Sequence, residues 1–255
     1  AERQPEFTQL DIEMSFMTAD EVCQMMEDMV QSLMKELLDE KLDAFPVMSY
    51  DDALLYYGTD APNLANPLKL IPVDDILSDC SFEVFQKPAS TDDMRVAALR
   101  LPNGAERLSR KDLDAYTQMV MKLGAKGLAY IKVNNRDDLE QGLSSPIIKF
   151  LDQEIVAKLL EACDAENGDI IFFGAGPNKL VHLTMHALSK QLATDLNLMH
   201  DGFHFVWVKE FPMFEENDGA MTALHHPFTA PVEGYKDLST AKAQAYDLVL
   251  NGYEL

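Results

Sequence analysis

Residues 8–16 alternate strictly, with Leu10, Ile12, Met14 and Phe16 on one side of an extended chain and Gln9, Asp11, Glu13 and Ser15 on the other. This period of two predicts a strand with one apolar face. At Thr18 the period changes. Thr18 and Glu21 have the spacing of a capping box. Val22, Met25, Met26, Met29, Val30, Leu33, Met34, Leu37 and Leu38 then recur at the i, i+3, i+4, i+7 interval of a helix with an apolar stripe. Core packing is the expected use of the methionines, ahead of an adaptable binding face.

From Pro46 to Pro72 the texture turns to Tyr57-Gly58, Asp60-Ala61-Pro62 and Ala65-Asn66-Pro67, which places a domain boundary near Leu68. Beyond it, short strands are expected at 82–86 and 94–101, followed by the turn Pro102-Asn103-Gly104. Ser109 caps a helix stopped by Gly124. A strand over 128–133, helices near 152–163 and 177–195, and the strand Asp169–Phe173 complete a mixed stretch that reads as its own α+β unit. Phe203–Lys209 and Tyr246–Leu250 read as strands that resume the sheet begun at residue 8. The expected organisation is therefore 1–68, then 69–193 as an insertion, then 194–255.

Charge narrows the function. The 21 Lys+Arg against 43 Asp+Glu leave a net charge of −22, which disfavours nucleic-acid binding by charge alone. Cys23, Cys80 and Cys163 are far apart and form no C-x-x-C pair, a usage that fits a reduced compartment. No apolar run approaches a membrane span, and Ala1-Glu2-Arg3-Gln4-Pro5 has no signal-peptide character. A cytoplasmic protein without membrane association is the expectation. The missing initiator methionine and the strand-like end at Leu255 suggest a piece cut from something longer.

Four features could carry chemistry. Gln9, Asp11 and Glu13 form a polar strand face that could hold an ammonium group, although a solvated sheet face is the commoner fate of such a pattern. His225-His226 are adjacent and, on an extended segment, point to opposite sides; His182 and His186 lie at i, i+4 on a helix but read as surface histidines. Gly174-Ala175-Gly176-Pro177 lacks the spacing of a phosphate loop, so its glycines are assigned to a strand-to-helix turn. Asp247 and Glu254 are seven residues apart and would face opposite sides of a regular strand. A bulge at Asn251-Gly252 would bring both carboxylates to one face, where open positions for water and phosphate suit Mg²⁺.

Several segments in order resemble bacterial-type aspartyl-tRNA synthetases. The stretch from Arg3 to Phe16 is similar to the second half of motif 2. Residues 124–150, with Gly124-Ala125-Lys126-Gly127-Leu128-Ala129-Tyr130, resemble the GAD-like insertion domain of that family, as does Gly168–Ala175. Phe211-Pro212-Met213-Phe214, His225-His226-Pro227-Phe228-Thr229 and Ala245–Leu255 match further family segments, the last running into motif 3. The resemblance implies an α+β fold: a class II antiparallel sheet flanked by helices and interrupted by an α+β insertion. It implies an aspartate–tRNA ligase, which activates L-aspartate with ATP and passes it to tRNA(Asp), with Mg²⁺ accompanying the nucleotide.

Residue by residue, the resemblance assigns Asp11 to the substrate ammonium and His225 to the neighbourhood of the substrate aspartate. It assigns Gln4 and Glu254 to ATP, Asp247 and Glu254 to the metal, and Gln9 and Glu13 to the pocket wall. The family is homodimeric, but its dimer element, motif 1, and the phosphate-gripping arginines of motifs 2 and 3 are not within these residues. The isolated chain is accordingly expected to be inactive. The family's Tyr-Gly-Ser-Asp-Lys-Pro-Asp-Leu-Arg stands here as Tyr57-Gly58-Thr59-Asp60-Ala61-Pro62-Asn63-Leu64-Ala65, so two cations are gone, and Leu55-Tyr56 replace a common arginine pair. Two readings stay open: a portion of a working synthetase, or a non-catalytic fragment or paralogue that keeps the fold as a binding module. A metal-dependent hydrolase built on His225 and His226 is a distant third.

Overall fold

The computed structural model describes residue 6, residues 8–217 and residues 219–255. The chain divides into two compact units, Ala1–Phe45 and Pro46–Leu255.

The first unit is built on α1 (Ala19–Leu38), opened by the expected reciprocal Thr18–Glu21 capping box and closed by Asp39 in the left-handed region. Residues after the helix return along it: the Phe45 amide donates to the buried Glu27 carboxylate at 3.0 Å, and Gln31 Nε2 donates to the Asp43 carbonyl. The methionine stripe is only partly used as core, since Met25, Met26 and Met29 are half-buried while Leu33, Leu37 and Leu38 stay exposed. Residues 8–14 are not a strand. Alternation fixes which side chains share a face, but a strand also needs a neighbour for its amides and carbonyls, and no described residue pairs with this segment. Leu10 is 71% exposed and Phe16 fully so.

The second unit contains two larger sheets and a hairpin. Its elements are β1 (Val47–Ser49), α2 (Tyr50–Tyr57), β2 (Leu70–Pro72), α3 (Asp74–Leu77), α4 (Glu83–Ala89), β3 (Met94–Leu101), α5 (Gly104–Arg107), α6 (Arg110–Lys122), β4 (Ala129–Val133) and β5 (Leu143–Ser144). Then follow α7 (Gln153–Ala162), β6 (Ile170–Pro177), α8 (Asn178–Asp195), β7 (Phe205–Lys209), β8 (Phe214–Asn217), β9 (Ala220–Ala223), β10 (Tyr246–Leu250) and β11 (Tyr253–Glu254). The fold is α+β. An antiparallel five-stranded sheet, β2-β3-β6-β4-β5, has both faces covered, one by α3, α4 and α7 and the other by α6 and α8. That double burial explains the continuous apolar runs of β3 and β6. The smaller sheet, β1-β7-β10-β11, is antiparallel except where β1 joins β7 in parallel, so the sheet on this side begins at Val47 and not at residue 8.

Other expectations shift in instructive ways. Residues 83–86 belong to helix α4, with Phe82 as its N-cap, because Phe82, Phe85 and Ala89 recur at helical spacing and pack into the core while Val84 is exposed. Gly174 and Gly176 lie inside β6 and not in a turn. A Cβ on Gly174 would come within 2.5 Å of Met185, so the glycine lets α8 lie close on the sheet. His182 and His186 are half-buried against α2, where the His186 ring nitrogen Nδ1 lies 3.0 Å from the Tyr57 carbonyl. The sequence boundaries at 68 and 193 both fall within the second unit, the latter in the last turn of α8.

The two sheets meet through the end of α2. Gly58 terminates that helix at φ +69, and a Cβ there would stand 2.7 Å from the His182 carbonyl. Arg95, buried in β3, donates from Nη2 to the Leu55 carbonyl at 3.1 Å and from Nη1 toward that of Leu54 at 3.4 Å. A cation at the C-terminal carbonyls complements the helix dipole.

Gly58→Ala combines a left-handed backbone with a backbone clash and is expected to destabilise the chain by roughly 1–3 kcal/mol in urea unfolding. His182 is held neutral, first by burial and then by Arg95, down to about 4 from 6.5. The unfolded chain takes up a proton at higher pH than the folded one, so stability drains as pH falls from 6.5 toward about 4. The slope of the urea midpoint over that window should flatten in His182→Gln.

Candidate active site

The chemistry-bearing residues of the second unit gather on the small sheet. β7 supplies a buried run, Phe205-Val206-Trp207-Val208, and β10 pairs along it from Tyr246 opposite Lys209 to Leu250 opposite Phe205. The chain then reverses. Asn251 and Gly252 both have positive φ, +50 and +86, and Leu250 faces Tyr253 directly, which makes a two-residue hairpin of the primed type favoured by Asn-Gly. The bulge expected at Asn251-Gly252 is therefore a hairpin turn, and Glu254 belongs to a separate strand. The Asn251 side chain secures the turn: its Oδ1 accepts from the His204 amide and its Nδ2 donates to the Gly202 carbonyl, each at 2.9 Å.

The hairpin places both carboxylates on one face by a different route. Glu254 lies opposite Val249, and Val249 shares its face with Asp247 two residues earlier. Asp247 is half-buried, and its carboxyl is pushed up to about 6 by burial first, then by Glu254 and by Asp60. Asp60, in the loop after α2, adds to the raising of the Asp247 carboxyl, a contribution that motif reading did not single out. Nothing local in the sequence brings residue 60 near residue 247; the packing that holds the loop after α2 does. The same loop carboxylate, with Glu215 and Asp51, adds to burial in raising the Tyr50 hydroxyl.

His225 sits beside the same core. Its Nε2 lies 3.0 Å from the Pro212 carbonyl, which can only accept, so Nε2 carries the proton. Its ring meets Phe211 edge-on at 6.1 Å, and Phe211 in turn packs against Tyr50 at 5.2 Å. His226 faces elsewhere: its Nδ1 accepts from the Phe228 amide at 3.2 Å and its ring abuts Phe228. The two histidines share no target, as the alternation of an extended chain implied.

The remaining sequence candidates lie in the first unit or outside the description. Gln9, Asp11 and Glu13 are exposed on the segment before α1, and Gln4 lies outside the described residues. Among the described residues no group of three or more His, Cys, Asp or Glu could hold a metal by itself. Asp247 and Glu254 are two carboxylates on one face of the hairpin.

Comparisons with known proteins bear on this arrangement. Residues 85–185, from α4 through the first turns of α8, match the GAD domain family. The whole chain is 48% identical over 261 residues to an aspartate–tRNA(Asp/Asn) ligase of Ruthia magnifica subsp. Calyptogena magnifica. It is 46% identical over 263 residues to the protein of that name from Legionella pneumophila (strain Corby). The chain spans 44% of the length of each. Throughout, it is similar to bacterial-type aspartyl-tRNA synthetases.

Against that synthetase pattern, the two lost cations fall in structurally distinct places. Ala61 lines a small cavity of about 130 Å³ with the hairpin residues Asn251, Gly252 and Tyr253. Ala65 is buried, and its carbonyl accepts from the His200 amide. Neither position offers a charge to the carboxylates of the hairpin.

The raised Asp247 carboxyl has a consequence for stability. Between 3.8 and about 6 the folded chain holds this proton and the unfolded chain does not, so stability falls as pH rises through that window. Asp247→Asn removes the repulsion and is expected to stabilise the protein by on the order of 1 kcal/mol at about pH 8, allowing for the solvated share of the side chain, and to leave it unchanged near about pH 4. Urea midpoints at the two pH values measure this.

Proposed function

We propose that this chain is part of an aspartate–tRNA ligase, and that the hairpin face carrying Asp247 and Glu254 is where Mg²⁺ meets ATP. The observation that carries the reading is that Asp247 and Glu254 share one sheet face, where burial first, then Glu254 and Asp60, raise the Asp247 carboxyl. A bound Mg²⁺ would offset the like charge of the two carboxylates and help draw charge off the phosphates. In this reading Asp11 receives the α-ammonium of L-aspartate, His225 stands near the substrate, Gln4 and Glu254 contact ATP, and Gln9 and Glu13 line the pocket. An aspartate carboxylate attacks the α-phosphate in line, pyrophosphate leaves, and the aspartyl group then passes from the adenylate to a tRNA hydroxyl, releasing AMP. Positioning and charge neutralisation are the protein's contribution.

The domain organisation fits the same reading. Residues 69–193 form the insertion, GAD-like, and 1–68 with 194–255 belong to the catalytic domain. Both relatives carry the name aspartate–tRNA(Asp/Asn) ligase, so tRNA(Asp) is the partner proposed, in a homodimer working in the cytoplasm. Among the described residues no helix is long and apolar enough to cross a membrane. The alanines at 61 and 65 favour a second reading, a paralogue that keeps the fold as a binding module without catalysis.

Aspartate-dependent pyrophosphate exchange separates the two. In the full-length protein, Glu254→Gln is expected to lower exchange by about 10²–10³. Asp11→Asn should raise KM for aspartate far more than KM for ATP. Absence of exchange in the unmutated full-length protein would favour the binding module, and exchange indifferent to Glu254→Gln would remove the hairpin from the site.

A further inference from the structure

Away from the hairpin, one cavity breaks the acidic character of the molecule. It has a volume of about 490 Å³ and is lined from β2, the end of β3 and the turn after it, with Cys163 from the end of α7 and Leu198 from beyond α8. Lys69, Arg100 and Arg107 line it together with Ile71, Asn103 and Cys163, and no carboxylate is among its lining residues. Three of the 21 cations of a chain with net charge −22 converge here. β2 pairs with β3 from Leu70 opposite Leu99, and that register carried one residue further sets Lys69 opposite Arg100. Like charges directly opposite one another on a sheet repel.

The site is also organised from beneath. Asp169 is buried and accepts three hydrogen bonds: from Arg100 Nε at 2.6 Å, from the Asn103 amide at 2.9 Å and from the Glu166 amide at 2.8 Å. Exposed Asp164 takes Arg100 Nη1 at 3.0 Å. These bonds orient the guanidinium and leave Nη2 outside the pairing. Among the described residues neither Lys69 nor Arg107 forms a salt bridge; Lys69 Nζ rests 5.7 Å from the centre of the Tyr57 ring. Burial pushes the Cys163 thiol up to about 12, so the floor of the cavity adds no negative charge of its own.

We propose that this cavity is a binding site for a phosphate-bearing anion, held by Lys69, Arg100 and Arg107. It is separate from the hairpin carboxylates and takes a ligand of the opposite sign to theirs. A planar guanidinium fixed by a buried carboxylate presents a preset donor, and Lys69 and Arg107 add charge from the rim.

Inorganic pyrophosphate titrated calorimetrically at low salt into the full chain tests the site. Lys69→Gln with Arg107→Gln should weaken binding roughly ten-fold or more, as loss of two charge-assisted contacts requires. Lys111→Gln with Lys122→Gln removes the same charge from α6 and should leave binding intact. Equal weakening in both pairs would mean bulk attraction and overturn the site. Glu254→Gln should also leave it intact, and binding lost only in that variant would put the pyrophosphate at the hairpin and likewise overturn it. Competition by a mononucleotide points to a small ligand, and competition by a short RNA duplex points to a nucleic-acid backbone. Absence of pyrophosphate binding to the unmutated chain would overturn the assignment to phosphate-bearing ligands.

Discussion

The close approach of α2 to α8 is the contact on which the second unit depends. It exists because residue 58 is a glycine: a left-handed helix end and a carbonyl 2.7 Å from where a Cβ would stand leave room for nothing larger. Arg95 reinforces the contact from β3 by meeting the last carbonyls of α2, at the expense of burying a guanidinium whose Nε finds no partner among the described residues. Through this junction the five-stranded sheet holds the loop at residues 59–66. That loop in turn brings Asp60 near enough to help raise the Asp247 carboxyl and supplies Ala61 to the wall beside the hairpin turn.

The hairpin itself is a device for placing charge. A regular strand would separate Asp247 from Glu254, whereas reversal at Asn251-Gly252 sets them diagonally on one face. The cost shows in the raised Asp247 carboxyl. Groups held in an unfavourable charge state by burial and like neighbours are common where a ligand of opposite charge is to be received. The basic cavity on the larger sheet is the complementary case, with cations brought together by strand register and oriented by a buried aspartate.

Resemblance and geometry contribute different things. The similarity to aspartate–tRNA ligases runs the length of the chain, yet the chain spans only 44% of those proteins, and residues assigned by motif are divided between two separately described units. Geometry places the two hairpin carboxylates on one face and sets the proton of His225 on Nε2. Asp11, exposed in the first unit, rests on the motif alone.

Elements governed by local chemistry were legible in the sequence. The capping boxes at Thr18 and Ser109 and the left-handed turn at Asn103 follow from side chains bonding their own backbone or from a residue type that tolerates positive φ, which need no distant partner. The strand over 94–101 was legible as an apolar run, although its pairing came from distant segments. The similarity to aspartate–tRNA ligases was legible too, because the resembling segments stand in order along the chain. Tertiary structure decided whatever required a neighbour: the alternating segment at 8–16 lacks a pairing strand among the described residues, and residues 83–86 coil because the core wanted Phe82 and Phe85 on one side. It buried His182 and His186 against α2, and it carried Asp60 to Asp247 and Lys69 to Arg100. Sequence patterns report the face a side chain will take; which surface, charge or backbone meets that face is set only when distant segments pack.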